Sequence, residues 1–264
     1  MNPDFWLRQT DKPAYPQLEW SQPENKTLAG KLLIIGGTQH GFAAPAEAYG
    51  IAEKAGAGGV RVILPESLRR SVSKLFPGAD FAPSTLSGSF AANSLAEWCA
   101  ASSWADGVLF PGDISRNSET TVLLENFLEK HPGQTTLTRD AADLLCQQPI
   151  SILHRQQTLM VLAMGQLQKL GSEARFPRAF TTGMGLVQLV EALHEFTKRF
   201  APIIITRHQN QLVVAQGGRI STTKLAGDKQ LWRLSTATTA SVWWMQNPSK
   251  QFEALTTAMW IAAK

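Results

Sequence analysis

A short apolar run, Lys31-Leu32-Leu33-Ile34-Ile35, leads directly into Gly36-Gly37-Thr38-Gln39-His40-Gly41, and this junction limits the fold more than any other stretch of the chain. A helix of small residues is expected from Ala43 to Ala55, with Pro45 in its first turn, where the missing N–H costs nothing. Gly56-Ala57-Gly58-Gly59 stops that helix, and Val60-Arg61-Val62-Ile63-Leu64 reads as a second strand closed by Pro65. Strand, glycine turn, helix and strand make one βαβ unit, and such units pair their strands in parallel. The free backbone N–H groups opening the helix point past the strand end and favour an anion there.

Similar alternation continues. Strands are expected at 106–110, 135–137, 150–153 and 202–205, and a hairpin brings 212–215 back across 208–211. Helices are expected at 91–102, 119–130, 141–146, 158–170, 183–200 and 252–263, with Leu186, Leu189, Val190, Leu193 and Phe196 forming the clearest apolar stripe. The pattern predicts an α/β fold, a three-layer αβα sandwich with a mostly parallel central sheet covered on both faces. Residues 1–29, rich in proline and carrying the isolated aromatics Phe5, Trp6 and Trp20, are expected to form an extended arm rather than a core element. The domain proper is then 30–264. Trp243-Trp244 reads as core or subunit contact rather than a base-stacking platform.

At 264 residues with 44% hydrophobic and 17% charged content, one large core is affordable. The net charge of +4 is scattered and forms no basic stripe, so no nucleic-acid partner is expected. Cys99 and Cys146 share no short spacing and read as reduced thiols. His40, His131, His194 and His208 share no ligand spacing, so no metal site is expected. No Gly-x-Ser-x-Gly elbow supports nucleophilic catalysis. The first residues lack a secretory pattern and no apolar run reaches membrane-spanning length, which sets the expectation of a cytoplasmic protein without a membrane partner.

The order of these motifs resembles the ADP/ATP-dependent NAD(P)H-hydrate dehydratases of the ribokinase-like superfamily. Leu33-Ile34-Ile35-Gly36-Gly37-Thr38, Ala43-Ala44-Pro45 and Ala55-Gly56-Ala57-Gly58 are similar to that family's Gly-Gly-Ser turn, Gly-Ala-Pro helix start and Arg-Ala-Gly-Ala-Gly helix end. Phe110-Pro111-Gly112-Asp113-Ile114-Ser115-Arg116 is similar to its Gly-Pro-Gly-Leu-Gly-Arg segment, and Leu137-Thr138-Arg139-Asp140-Ala141 to its Leu-Asp-Ala-Asp-Ala. Pro149 to Arg155 is matched to the Thr-Pro-His-Pro-Gly-Glu strand, and Ile204 to His208 to the Val-Leu-Lys-Gly strand. The resemblance implies a ribokinase-like fold over about residues 28–263, with ATP or ADP as the candidate nucleotide.

It also breaks. The family's Gly-Ser/Thr-Gly-Asp turn holds phosphate on its amides and carries the catalytic base. Here the matched residues are Thr238-Thr239-Ala240-Ser241-Val242, which puts Ser241 at the position of the Asp. A serine is no base at neutral pH without a partner to take its own proton. Candidate ligand contacts are therefore Gly37, Thr38 and Ala44 at the first turn, Gly112 and Asp113 at the second, Asp140, His154, Arg155, Arg207, Thr239 and Ser241, with no residue assigned as catalytic. The first turn could hold an anion or be only a tight turn, Asp140 could touch ligand or only open a helix, and His154 and Arg155 could be a strand-end site or plain loop. Three functions follow: a catalytically impaired protein binding a nucleotide or other small molecule, an active dehydratase or small-molecule kinase with Asp113 or Asp140 as base, and a homo-oligomeric scaffold.

Overall fold

The computed structural model describes residues 3–20, 23–226 and 232–263. Strand β1 (Trp6–Gln9) and short helix α1 (Pro16–Trp20) precede β2 (Lys31–Ile35), α2 (Ala43–Lys54) and β3 (Gly59–Pro65), the βαβ unit legible in the sequence. Next come α3 (Arg69–Val72), β4 (Ala79–Ala82), α4 (Leu95–Ser102), β5 (Gly107–Phe110) and α5 (Ser118–Lys130). They are followed by β6 (Gln134–Thr138), α6 (Arg139–Gln147), α7 (Ile150–Leu153), β7 (Thr158–Leu162), α8 (Met164–Glu173) and α9 (Leu186–Arg199). A meander of β8 (Ile203–His208), β9 (Gln211–Gln216) and β10 (Arg219–Lys224) leads to α10 (Trp232–Gln246) and α11 (Gln251–Ala263).

All ten strands lie in one sheet, in the order β1-β10-β9-β8-β7-β6-β5-β2-β3-β4. Only β9 runs against its neighbours. Strict alternation along β2 sends Leu33 and Ile35 into one apolar cluster and Leu32 and Ile34 into another. The first cluster lies under α4, α5, α6, α8 and α9, and the second under α2, α10 and α11. A sheet buried on both faces needs two such layers, so the sandwich follows from the pattern.

Two expectations fail, each for a local reason. Ile150–Leu153 is a helix, because Pro149 opens a turn in which its carbonyl accepts the N–H groups of Ile152 and Leu153, both at 3.0 Å. Ile150 is 84% exposed, which a central strand does not permit. The strand is instead Thr158–Leu162, buried at every position, and the helix starts only at Met164. The expected arm is also partly sheet, since Trp6–Gln9 pairs in parallel with Ile220–Thr223. The aromatic pair Trp243-Trp244 is core, inside α10.

Candidate functional site

Because β2, β3, β5, β6, β7 and β8 are parallel, their carboxyl ends share one edge, where open α/β sheets collect their ligands. Two loops cross there, the β2–α2 turn and the loop after β5. A Cβ on Gly36 would stand 2.7 Å from the Gly112 carbonyl oxygen, so the approach admits only glycine. Gly37 donates its N–H to the Asp113 carbonyl (2.8 Å), and Asp113 itself sits at φ +53.

Asp113 is the hub of this edge. Its Oδ2 accepts the Ala44 N–H at 2.7 Å in the first turn of α2, and its own N–H donates to Asp140 Oδ2 at 3.0 Å. Arg139 lies 3.5 Å from Asp113 Oδ1. Arg116 bridges Asp140 and Asp143, with Nε 2.9 Å from Asp140 Oδ1 and Nη2 2.8 Å from Asp143 Oδ2. Gln166, in the first turn of α8, donates to the Arg139 carbonyl (2.9 Å) and to Asp143 (2.6 Å), and accepts from Arg233 Nη1 (3.1 Å). Three carboxylates and three guanidiniums, from the loop after β5 (Asp113, Arg116), the start of α6 (Arg139, Asp140, Asp143) and the start of α10 (Arg233), are thus joined into one network through Gln166 of α8 and the Ala44 N–H of α2. Arg233 is its strained member. Burial, and then the nearby Arg139, hold its pKa below the ordinary arginine value, while Asp143 and Asp140 only partly compensate.

Of the sequence candidates, Gly37, Thr38, Ala44, Gly112, Asp113 and Asp140 do come together at this edge. Arg207 ends β8 at the same edge, with Nε donating to the Gln209 carbonyl (3.0 Å). The donors of Gly37, Thr38 and Ala44 are already engaged, by the Asp113 carbonyl, the Gly41 carbonyl and the Asp113 carboxylate.

The other four candidates lie away from it. His154 and Arg155 precede β7, so they stand at the amino edge of the sheet, opposite to where a carboxyl-end reading places them. His154 is exposed there. Arg155 is a structural clamp whose guanidinium donates to the carbonyls of Gln157 (2.6 Å), Gly133 (2.7 Å), Leu128 (3.3 Å) and His131, and to the hydroxyls of Thr158 (2.8 Å) and Thr135 (3.2 Å). Thr239 and Ser241 are interior residues of α10. The Ser241 hydroxyl donates to the Ala237 carbonyl (2.8 Å), and the Ser241 carbonyl accepts from Gln134 at the amino end of β6 (2.9 Å). Ser241 therefore does not occupy the turn that enters the last helix pair. The sequence does hold a Gly-Asp step just ahead of α10, Gly227-Asp228, outside the described residues. The signal for that register was the run from Gln230 to Gln246, which has no glycine or proline and reads as one helix. Arg116, Arg139, Asp143, Gln166 and Arg233 were missed because their partners are distant in sequence.

Among the described residues no cluster of His, Cys, Asp or Glu could hold a metal ion, and no helix is long and apolar enough to cross a membrane.

This fold, with its polar carboxyl edge, is ribokinase-like. A ribokinase-like superfamily protein of Enterococcus faecalis V583 superposes with a TM-score of 0.74 at 13% identity, covering 100% of this chain and 88% of that one. A hypothetical protein of Streptococcus mutans gives 0.74 at 16% identity, over 97% and 89% of the two chains. The ADP/ATP-dependent NAD(P)H-hydrate dehydratase of Bacillus subtilis, co-crystallised with ATP and Mg2+, gives 0.67 at 13% identity, over 97% and 88%. No protein-family model matches the chain, and no curated protein does either. These likenesses establish the fold.

Proposed function

We propose that this protein binds the phosphate groups of ATP or ADP at its carboxyl edge, against Arg233 at the start of α10 and Arg139 at the start of α6, and acts as a nucleotide-dependent enzyme on a small molecule. NAD(P)H-hydrate dehydration is the leading reaction class. The observation that carries the reading is the position of Arg233. A half-buried cation beside a second cation, at the positive end of a helix dipole, is a costly arrangement that a bound phosphate relieves. Arg207, at the same edge, is a further cation within the same region of the fold.

The case for catalytic loss rested on Ser241 standing where a base is needed, and the helical, amino-edge position of Ser241 removes that support. Asp228, following Gly227 in the sequence, is the residue to which we assign the proton-accepting role that the resemblance implies.

Calorimetric titration of the full chain with ATP and ADP tests the reading. Arg233→Gln is expected to weaken nucleotide binding at least tenfold, about 1.4 kcal/mol. Asp228→Asn is expected to keep the binding and abolish nucleotide turnover in the presence of hydrated NADH. Absence of nucleotide binding by the native protein overturns the proposal, and binding without any turnover returns the protein to the class of ligand-binding proteins.

A further inference from the structure

We propose that Gln166 is the positioning residue of the cationic end of this edge: its carboxamide fixes the orientation of the Arg233 guanidinium and, being neutral, leaves the positive charge of Arg233 to the ligand. The inference deepens the reading above, on which it rests for the phosphate that this charge receives.

Gln166 stands in the first turn of α8 and is 8% exposed, so each polar atom of its carboxamide needs a partner inside the protein. All of them find one. Oε1 accepts the Ala163 N–H at 2.9 Å and Arg233 Nη1 at 3.1 Å. Nε2 donates to the Arg139 carbonyl at 2.9 Å and to Asp143 Oδ1 at 2.6 Å. Two donors on one side and two acceptors on the other admit a single orientation of the amide. The bond to Arg139 also holds a strained residue, since Arg139 is a non-glycine at φ +51. Three arginines from separate elements thus depend on one buried side chain. Arg233 meets its Oε1, Arg139 is held through its carbonyl, and Arg116 is reached through Asp143, 2.8 Å away.

The neutrality of this anchor has a consequence for binding. Among the described residues Arg233 has Gln166 as its hydrogen-bond partner and forms no ion pair, while Asp140 and Asp143 are both held by Arg116. A carboxylate at position 166 would grip Arg233 more strongly, but it would cancel the charge and set a second anion against Asp143. The amide avoids both effects. A phosphate arriving at Arg233 meets a guanidinium whose rotation is already restricted and whose charge is still free, and such pre-organisation lowers the cost of binding.

Positioning and plain packing predict different results, and nitrogen-15 NMR of the arginine side chains, joined with calorimetric titration of the full chain with ATP, separates them. The Arg233 Nη resonances are identified by their absence from the spectrum of Arg233→Gln. In the native protein they are expected to be resolved, as in a guanidinium that does not rotate freely. In Gln166→Met they are expected to average to one line, with ATP affinity at least tenfold weaker. Gln166→Glu, which keeps the shape of the side chain, guards against a methionine variant that fails to fold. It is expected to keep the Arg233 resonances resolved and still to lose at least tenfold in ATP affinity, a split that packing alone does not produce. Averaged Arg233 resonances in the native protein, or native ATP affinity in either folded variant, overturns the assignment. A native protein that binds no ATP, yet whose Arg233 resonances are resolved and collapse in Gln166→Met, removes the nucleotide reading and leaves the positioning role standing.

Discussion

Arg155 is a half-buried cation without a carboxylate. Its five N–H groups are spent on four backbone carbonyls and two threonine hydroxyls gathered from the end of α5, the start of β6 and the start of β7. Burial pushes its pKa down to about 10, which still leaves it charged at neutral pH. Truncation to alanine strands those acceptors in a water-poor pocket, and a cost of about 3 kcal/mol is expected. Arg155→Lys should recover little of it, because an ammonium group cannot reproduce the planar fork. Urea midpoints measure both losses, and nucleotide affinity should be unaffected in whatever fraction stays folded. A loss of ligand binding without a loss of stability would restore Arg155 to the functional edge. The residue type was legible in the sequence as a candidate contact. Its place was not, because a four-residue apolar run beside a proline, Ile150 to Leu153, satisfies a strand pattern and a helical turn equally well.

At the scale of elements, the register of α10 decides how the site is read. The helix runs from Trp232 to Gln246, buries Trp243 and Trp244, and packs against the β2–β7 half of the sheet between α2 and α11. Threonine, serine and alanine in its middle are small enough to let it lie close to neighbouring elements. Their hydroxyls return to carbonyls one turn back, as Thr238 does to Leu234 (2.9 Å) and Ser241 to Ala237 (2.8 Å). Such serines and threonines resemble a polar loop in a sequence scan, since the same side chains serve in turns. Ser241→Ala should therefore change stability by no more than about 1 kcal/mol, and leave the ATP dissociation constant within twofold by titration. Ser241→Asp should instead unfold the protein, because a carboxylate would be buried among apolar neighbours with no partner. A tenfold change of nucleotide affinity in Ser241→Ala would show that the first register was right. The βαβ opening, α5, α9 and the β8–β9 hairpin were all legible, because each carries its own period and stop signals over a continuous stretch. The network at the carboxyl edge was not, because Asp113, Asp140, Gln166 and Arg233 meet only after the sheet has assembled.

The whole molecule closes on its own first strand. β1 covers the outer side of β10, so the sheet's edge there is formed by residues at the opposite end of the chain. Trp6 is 5% exposed and donates its indole N–H to the Thr222 hydroxyl at 3.1 Å, a contact 216 residues apart in sequence. Gln9 reaches both the Thr223 hydroxyl and the Thr256 carbonyl, each at 2.7 Å. Trp260 of α11 donates back to the Thr10 carbonyl at 3.0 Å, and Phe5 stacks on His194 of α9 with ring centroids 3.6 Å apart. The strand thus ties both helical layers to the sheet. A four-residue strand with so distant a partner carries no local signal, which is why it read as an arm. Its closure should be a late event in folding, since the loop entropy must be met before the contacts form. Trp6→Ala is expected to cost about 3 kcal/mol through the cavity it leaves. Removal of residues 1–10 should do more, exposing the unpaired β10 edge to a second chain, because a bare edge strand is a template for pairing. Light scattering against protein concentration, with the urea midpoint measured in parallel, reads both effects. A truncated chain that stays monomeric with an unchanged midpoint would mean that the sheet is complete without β1, and that its first residues serve only as an accessory arm.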